Sequence, residues 1–283
     1  MNCPVNIEKL YNDYITLKNE ENYKSRYEGK ENYYHASGGG TCSRKLYYET
    51  IERVETTNPT NETSNRLLRL GTIVHEDFEL ALRKVQGKMI LENEIKKDDS
   101  PDTIYSNTID SDAIYSKEKE IHYLQKENFD FHIEKEIFLP ELNVRGFYDL
   151  VAVSQSSGMV YLIDFKTMGS FPWSRKFGWK NVDTNPSMHQ EIQLATYGLF
   201  IEKEFGRLDG MFLYYYNKDN SKMKCIEVPR VMLKRAENFW INVNEEHKKG
   251  LPMFSEGLSP VQDWNCKYCR FLDHCKPPFF KKK

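Results

Sequence analysis

The sequence predicts an α/β fold with a mixed central sheet flanked by helices. Two observations predict it. Apolar residues recur at helical spacing over both ends of the chain, and between residues 131 and 166 the pattern changes to that of strands. The central order then reads helix, three strands, helix, strand, the order of an α/β core with a mixed sheet.

Each element has its own signal. Ile7, Leu10, Tyr14 and Leu17 are spaced for a helix within residues 5–30. Ser37-Gly38-Gly39-Gly40 breaks the chain, and residues 43–54 read as a short helix. A longer helix over 64–86 follows from Leu67, Leu70, Val74, Phe78 and Leu82, at steps of three and four. Residues 93–127 are polar and rich in Asp, Ser, Asn and Lys, a surface insertion or a small mobile helical region. Strands are expected over 131–139, 144–153 and 159–166, parted by Pro140-Glu141-Leu142-Asn143 and by Ser154-Gln155-Ser156-Ser157-Gly158. Pro186 opens a helix to about Phe205, 208–216 and 222–228 form a hairpin, and 230–248 is helical again. There is no internal repeat.

Composition narrows the function classes. A chain of 283 residues is one large domain or one domain with appendages, and 39% apolar with 13% aromatic residues supports a sizeable core. No run approaches the roughly 18 consecutive apolar residues of a membrane helix. The first residues, Met-Asn-Cys-Pro-Val-Asn-Ile, lack a basic region followed by an apolar stretch, so a cytoplasmic location is expected. Six cysteines there suggest metal ligation before disulfides. The net charge of −2 hides an asymmetry: residues 91–136 carry 13 acidic and 6 basic side chains, which leaves the rest of the chain at +5. Such asymmetry accompanies binding of a polyanion, although most charge runs are solvated faces.

The chemistry-bearing residues gather in the centre. Asp164 and Lys166 are two apart on a strand and emerge on one face. Asp149 is on the preceding strand. Pairing Val153 with Met159 would set it opposite Ile163, and a one-residue bulge would bring it beside Asp164. Two carboxylates at one spot repel unless a cation joins them, and Mg²⁺ suits them. Lys166 would place a fixed charge beside an attacked phosphorus or orient water. An isolated Asp-X-Lys is common and usually a surface feature. Within Leu-Ile-Asp-Phe-Lys-Thr, after Arg-Gly-Phe-Tyr-Asp, it is far more specific. His75 could complete a metal shell, though a lone helix histidine is more often structural. Gln193 and Tyr197 share a helix face.

This set resembles the PD-(D/E)XK nuclease superfamily, in its RecB-like iron–sulfur branch. Within that branch it is similar to CRISPR-associated exonucleases of the fourth Cas family and their phage homologues. The likeness runs from about residue 35 to 276. Gly71 to His75 matches the family's helix histidine, and Gly146 to Asp149 its first metal aspartate. Asp164-Phe165-Lys166-Thr167 matches the second aspartate and the lysine, and Gln193 through Tyr197 the Gln-X-X-X-Tyr motif. Cys42, Cys266, Cys269 and Cys275 match the cluster ligands, with Ser43 where relatives often have proline.

The resemblance implies a restriction-endonuclease-like core with a four-cysteine clasp joining the two ends of the chain. It divides the chain into an N-terminal helical region (1–90) with the first cluster cysteine and His75, an acidic insertion (91–127), a nuclease core (128–228), and a C-terminal helix and cluster-binding tail (229–283). It implies Mg²⁺ or Mn²⁺ held by His75, Asp149 and Asp164, with Lys166, Gln193 and Tyr197 as further catalytic residues. Four thiolates suit a [4Fe–4S] cluster, with zinc as the chemical rival that spacing does not separate. Cys3 and Cys225 read as ordinary thiols.

Residues 171–180, Phe-Pro-Trp-Ser-Arg-Lys-Phe-Gly-Trp-Lys, interleave aromatics with positive charge. Trp173, Arg175, Lys176 and Trp179 would contact single-stranded DNA, or the rings would anchor the segment on the core. The expectation is a Mg²⁺- or Mn²⁺-dependent deoxyribonuclease, an exonuclease on single-stranded DNA ends, with a homo-oligomer or a recombination or CRISPR-adaptation protein as partner. The alternatives are a non-catalytic DNA-binding or adaptor subunit, for which loss of Asp149, Asp164 or Lys166 would have argued, and a zinc-clasped structural protein.

Overall fold

A computed structural model describes residues 6–29, 32–97, 129–178, 188–254, 266 and 268–276. The N-terminal helix α1 (Ile7–Tyr27) starts where the Asn6 side chain accepts a hydrogen bond from Lys9 N at 3.0 Å. Its apolar spacing forms a helix as expected, but Ile7, Leu10 and Leu17 face solvent. Ile15 is buried, and polar contacts also fix the helix, with Arg66 reaching Asn12 and Glu8. Strand β1 (Tyr34–His35) leads into α2 (Ser43–Leu46). The helix expected over 43–54 loosens there into a π-type turn over Tyr47–Glu52, ended by Arg53 in the left-handed region. Helix α3 (Glu62–Lys97) is capped by Asn61, whose side chain accepts from Ser64 N, and it runs well past the expected end at 86.

The sheet comprises β1, β2 (Phe129–Leu139), β3 (Val144–Ser154), β4 (Val160–Met168), β5 (Gly210–Asn217) and β6 (Met223–Glu227). Its order is β1-β3-β4-β5-β6, with β2 also on β3. The β1/β3 and β4/β5 pairs are parallel and the others antiparallel, so the sheet is mixed as expected. Helices α4 (Ser170–Phe177) and α5 (Met188–Phe205) lie in the crossover from β4 to β5. After β6 come α6 (Val231–Lys248) and the short α7 (Leu272–Cys275). Strand β5 shows why such a segment is a strand: every second residue from Met211 to Asn217 is buried.

The main core lies between the sheet and helices α5 and α6, centred on Trp240, Leu213, Leu194 and Ile201. Trp240 Nε1 donates to Thr196 Oγ1 at 2.9 Å, which satisfies its polar group inside the core. A smaller cluster on the other face packs Phe78 and Leu82 of α3 against Ile133, Leu150 and Phe165. The acidic insertion expected over 91–127 lies outside the described residues beyond Lys97. Among the described residues no helix is long and apolar enough to cross a membrane.

One feature of the sheet positions everything else. Strand β2 pairs with β3 along one edge from Val144 to Ser154. The other edge of β3 is shared: β1 takes Val144 and Arg145, and β4 takes Leu150 to Val153. Among the described residues, no strand makes ladder pairs with this edge of β3 from Gly146 to Asp149. The expected register needs correction by one residue. Val153 pairs with Val160, not Met159, so continuing the ladder sets Asp149 opposite Asp164 with no bulge between β3 and β4.

Candidate active site

A cavity of about 460 Å³ opens at this gap. His75, Asp149, Asp164, Lys166, Gln193 and Tyr197 all line it, together with Glu134 and His35. Helix α3 delivers His75 because Gly71, one turn earlier, lies close over β4. A Cβ on Gly71 would sit 2.9 Å from Thr167 Oγ1. The His75 ring then lies 6.1 Å from that of Phe165, and the Phe78 ring packs at a tilt on Phe165 at 4.9 Å.

The carboxylates are held from within the sheet. Asp149 Oδ2 accepts from Phe165 N at 2.6 Å, where the β3–β4 ladder has just parted, and His75 Nδ1 lies 3.6 Å away. Burial, then the charge of Asp164, push the Asp149 carboxyl well above the ordinary carboxylate range; Lys166 and the Phe165 N–H pull it back only in part. Asp164 is 1% exposed. Lys166 Nζ approaches its Oδ2 at 2.6 Å, although no hydrogen bond of regular geometry reaches that buried oxygen. Burial and the Lys166 charge lower the His75 imidazole, against the pull of Asp164, and so favour its neutral form.

A relay fixes the lysine. Lys166 Nζ donates to Gln193 Oε1 at 3.0 Å, and Gln193 Nε2 donates to Tyr197 OH at 3.0 Å. Tyr197 in turn packs where β3 has Gly146: a Cβ there would meet Ala36 Cβ at 2.8 Å and Tyr197 Cε1 at 3.1 Å.

Glu134 is the residue that sequence reasoning missed. It stands opposite Asp149, between the register pairs Ile133↔Leu150 and Lys135↔Tyr148, with φ of 48°. An L-residue in that region costs about 1–2 kcal/mol. The strands change faces there: Ile133 and Leu150 pack under α3, while Ile137 and Tyr148, at even spacing, belong to the opposite core. The charge of Glu134 adds to the pressure on Asp149. The tight turn at 140–143 held the signal. Pairing Leu139 with Val144 and counting back puts Glu134 opposite Asp149.

Among the described residues, no three His, Cys, Asp or Glu side chains form a ready metal shell. The donor set nonetheless fits a hard divalent cation: two buried carboxylates whose charges oppose each other, one with an oxygen lacking a regular hydrogen bond, and a neutral imidazole alongside.

The cysteines meet elsewhere. None of Cys42, Cys266, Cys269 and Cys275 is in a disulfide. Cys42 and Cys275 both bear electrostatically on Cys269, whose thiol burial pushes up. Backbone bonds dock the tail: Thr57 N and Asn58 N both donate to Arg270 O, and Cys269 N donates to Cys266 O. Arg44 bonds Cys275, and its Nη1 donates to Pro252 O at 2.6 Å. Cys225 is exposed on edge strand β6, and Cys3 lies outside the described residues.

Within the 171–180 segment, residues 171–177 belong to helix α4, and two of its rings serve the core. Trp173 meets Phe177 edge to face at 4.8 Å, and Phe177 meets Tyr215 edge to face at 5.3 Å. Phe171 is 75% exposed, with the Arg175 guanidinium 5.9 Å from its ring. Trp179 lies outside the described residues.

A family model described as the PD-(D/E)XK nuclease superfamily matches residues 34–276. No curated protein matches the chain. Solved structures overlap it loosely. The protein SSO0001 has 17% identity and a TM-score of 0.44, with 96% of this chain and 98% of that one covered. A candidate exonuclease from Eubacterium rectale has 18% identity and a TM-score of 0.45, covering 93% and 94%. An alkaline exonuclease from Laribacter hongkongensis has 10% identity and a TM-score of 0.36, covering 80% and 92%. The model match spans the whole sheet, the cavity and the cysteine-bearing tail, so the chain belongs to the PD-(D/E)XK nuclease superfamily.

Proposed function

We propose that this chain is a divalent-metal-dependent deoxyribonuclease that hydrolyses phosphodiester bonds as an exonuclease on single-stranded DNA ends. The observation that supports this most is Lys166. Its ammonium is held between a buried aspartate and Gln193, in a cavity with a second buried aspartate. Asp149, Asp164 and His75 would hold the cation, with Glu134 facing the same space. A bound Mg²⁺ or Mn²⁺ would polarise the phosphoryl oxygen and make its water more acidic.

The chain's own residues do the remainder. Lys166 presents positive charge where charge grows on the attacked phosphate, and the Gln193–Tyr197 relay keeps it pointed there before substrate arrives. The neutral His75 can share a lone pair. Arg175 and the exposed Phe171 would meet the strand next to the site, one by charge and one by stacking. A [4Fe–4S] cluster on Cys42, Cys266, Cys269 and Cys275 would be structural, tying the tail to the start of α2. The docked tail and the proximity of Cys42, Cys269 and Cys275 support it.

The test is degradation of end-labelled linear and of circular single-stranded DNA in Mg²⁺ or Mn²⁺, by wild type and by Lys166→Ala and Asp164→Ala. Loss of linear DNA alone, abolished in both variants, is expected. Wild-type turnover by either variant, or no cleavage by wild type with either metal, would end the proposal; cleavage of circles would replace end-dependence with endonuclease activity.

A further inference from the structure

Arg44 is a buried cation whose printed neighbours are all uncharged or cysteine. It sits on α2, two residues after Cys42, and is 9% exposed. Its Nη1 donates to Pro252 O at 2.6 Å and its Nη2 to Tyr48 OH at 3.3 Å. The guanidinium carbon lies 4.1 Å from the centre of the Phe254 ring and 5.9 Å from that of Tyr48. A carbonyl, a hydroxyl and two ring faces hold the group in place but supply no formal negative charge. The Nε atom is buried without a hydrogen bond of regular geometry.

Among the described residues no carboxylate forms an ion pair with Arg44. Two acids of neighbouring elements are engaged elsewhere: Glu49 with Arg270 at 3.4 Å, and Glu246 with Ser43 Oγ at 2.7 Å. A charge taken out of water is costly unless an opposite charge meets it.

The cysteines can supply that charge. Arg44 bonds the Cys275 side chain, and the charge of Lys45 bears on Cys269. Tyr48, which receives Arg44, donates in turn to His274 O, one residue before Cys275. Neutral thiols would leave the guanidinium unbalanced. Thiolates on a metal would balance it, since four of them outweigh the positive charge of a zinc ion or a [4Fe–4S] core.

We propose that Arg44 is the counter-charge of the metal centre held by Cys42, Cys266, Cys269 and Cys275, a positioning residue that keeps the centre loaded. The proposal rests on the cysteine-site reading above and adds the residue that balances its charge. Arg44 acts from behind the ligands, as the hydrogen-bonded partners around a metal site do. Its anchors at Pro252 and Tyr48 fix the guanidinium, so the fork is aimed at the tail before metal arrives.

The experiment uses full-length protein purified without air: wild type, Arg44→Met, Arg44→Gln and Arg44→Lys. Bound iron and zinc per chain are measured first. Loss of metal into excess EDTA is then followed, by visible absorbance for iron or by a chromogenic indicator for zinc. Arg44→Met and Arg44→Gln should lose metal about 10- to 100-fold faster, the cost typical of removing an outer partner of a metal site. Arg44→Lys keeps the charge and should stay much closer to wild type. A merely structural Arg44 predicts no such rescue. Where Arg44→Met does not fold, Arg44→Gln, which can still donate to Pro252 O, makes the same comparison with Arg44→Lys. Wild-type retention by the uncharged variants, or equal loss from Arg44→Lys, overturns this role while a loaded wild type keeps the cysteine-site reading. A wild type that holds neither iron nor zinc overturns both.

Discussion

Replacing Asp149 by Asn should make the protein more stable and inactive at once. The wild-type carboxylate is 9% exposed, close to the charge of Asp164, and its proton affinity is raised chiefly by burial. Asn keeps an oxygen to accept from Phe165 N, the bond that fixes the side chain at 2.6 Å, and removes the charge. The gain should be about 1–3 kcal/mol, the desolvation penalty of a buried polar group. For a domain of this size each kcal/mol moves Tm by about 2–4 °C, so the rise should be roughly 2–12 °C. Thermal melts in EDTA near neutral pH measure it, beside a cleavage assay in Mg²⁺. The pH dependence fixes the sign. The folded carboxyl binds its proton more tightly than the unfolded one, so its contribution is fully present below the ordinary value of 3.8. It is lost as pH rises through the raised folded value. Wild type in EDTA should lose stability over that rise, and the gap to Asp149→Asn should widen. Mg²⁺ should then raise the wild-type Tm more than the variant's. An Asp149→Asn protein that melts below wild type in EDTA would refute the argument that this charge is a stored cost.

Protein purified without air should be brown, and Cys42→Ala should remove the visible absorbance; a colourless wild type with stoichiometric zinc would replace iron–sulfur with zinc and leave the nuclease reading intact. Burial lowers the imidazoles of His35, His75, His132 and His247 below 6.5. Above that value both states are neutral, and below it the unfolded chain takes up protons that the folded chain refuses. Melts of Asp149→Asn, which lacks the opposing Asp149 titration, should therefore show stability falling from about pH 6.5 towards 5, and a flat Tm over that range would contradict it. Trp173→Ala should lower Tm, because its ring packs on Phe177 and the core, while the salt slope of DNA binding stays as in wild type. A lowered slope with an unchanged Tm would return that ring to the DNA.

The elements were legible in the sequence because hydrophobic period and turn residues set them locally. All five sheet strands from β2 to β6 fall within two residues of the ranges read from alternation. The meeting of His75, Asp149, Asp164, Lys166, Gln193 and Tyr197 at one cavity came from motif likeness, since nothing local joins residues 75 and 193. What local pattern did not carry was decided by neighbours far along the chain. The apolar spacing of α1 suggests a buried face through Leu10 and Leu17, yet the helix buries Ile15, makes polar contacts through Asn12 and Glu8 to Arg66, and leaves Leu10 and Leu17 in solvent. The 171–180 rings read equally well as DNA contacts or anchors. The choice for Trp173 and Phe177 lies in Tyr215, more than thirty positions later. The one-residue error in the β3–β4 register arose at the Ser-rich turn, where Ser154 N bonds Met159 O and the first ladder pair is Val153 with Val160.

The site follows from how β3 divides its second edge. A continuous ladder there would pair the backbone of Gly146–Asp149 and leave no room for a phosphate. Instead pairing with β1 stops at Arg145 of β3 and pairing with β4 begins at Leu150, and the cavity opens at the gap between them. Opening it has local costs: Glu134 takes a left-handed backbone, and two buried carboxylates lie side by side. The packing that holds the gap open also aims the lysine. Ala36, directly after β1, approaches Gly146, and Gly146 admits the Tyr197 ring. Tyr197 receives Gln193, and Gln193 receives Lys166. The orientation of the charged group therefore traces back to the absence of a Cβ on an unpaired strand edge. It is set by the fold before any ligand binds, which is what electrostatic preorganisation requires.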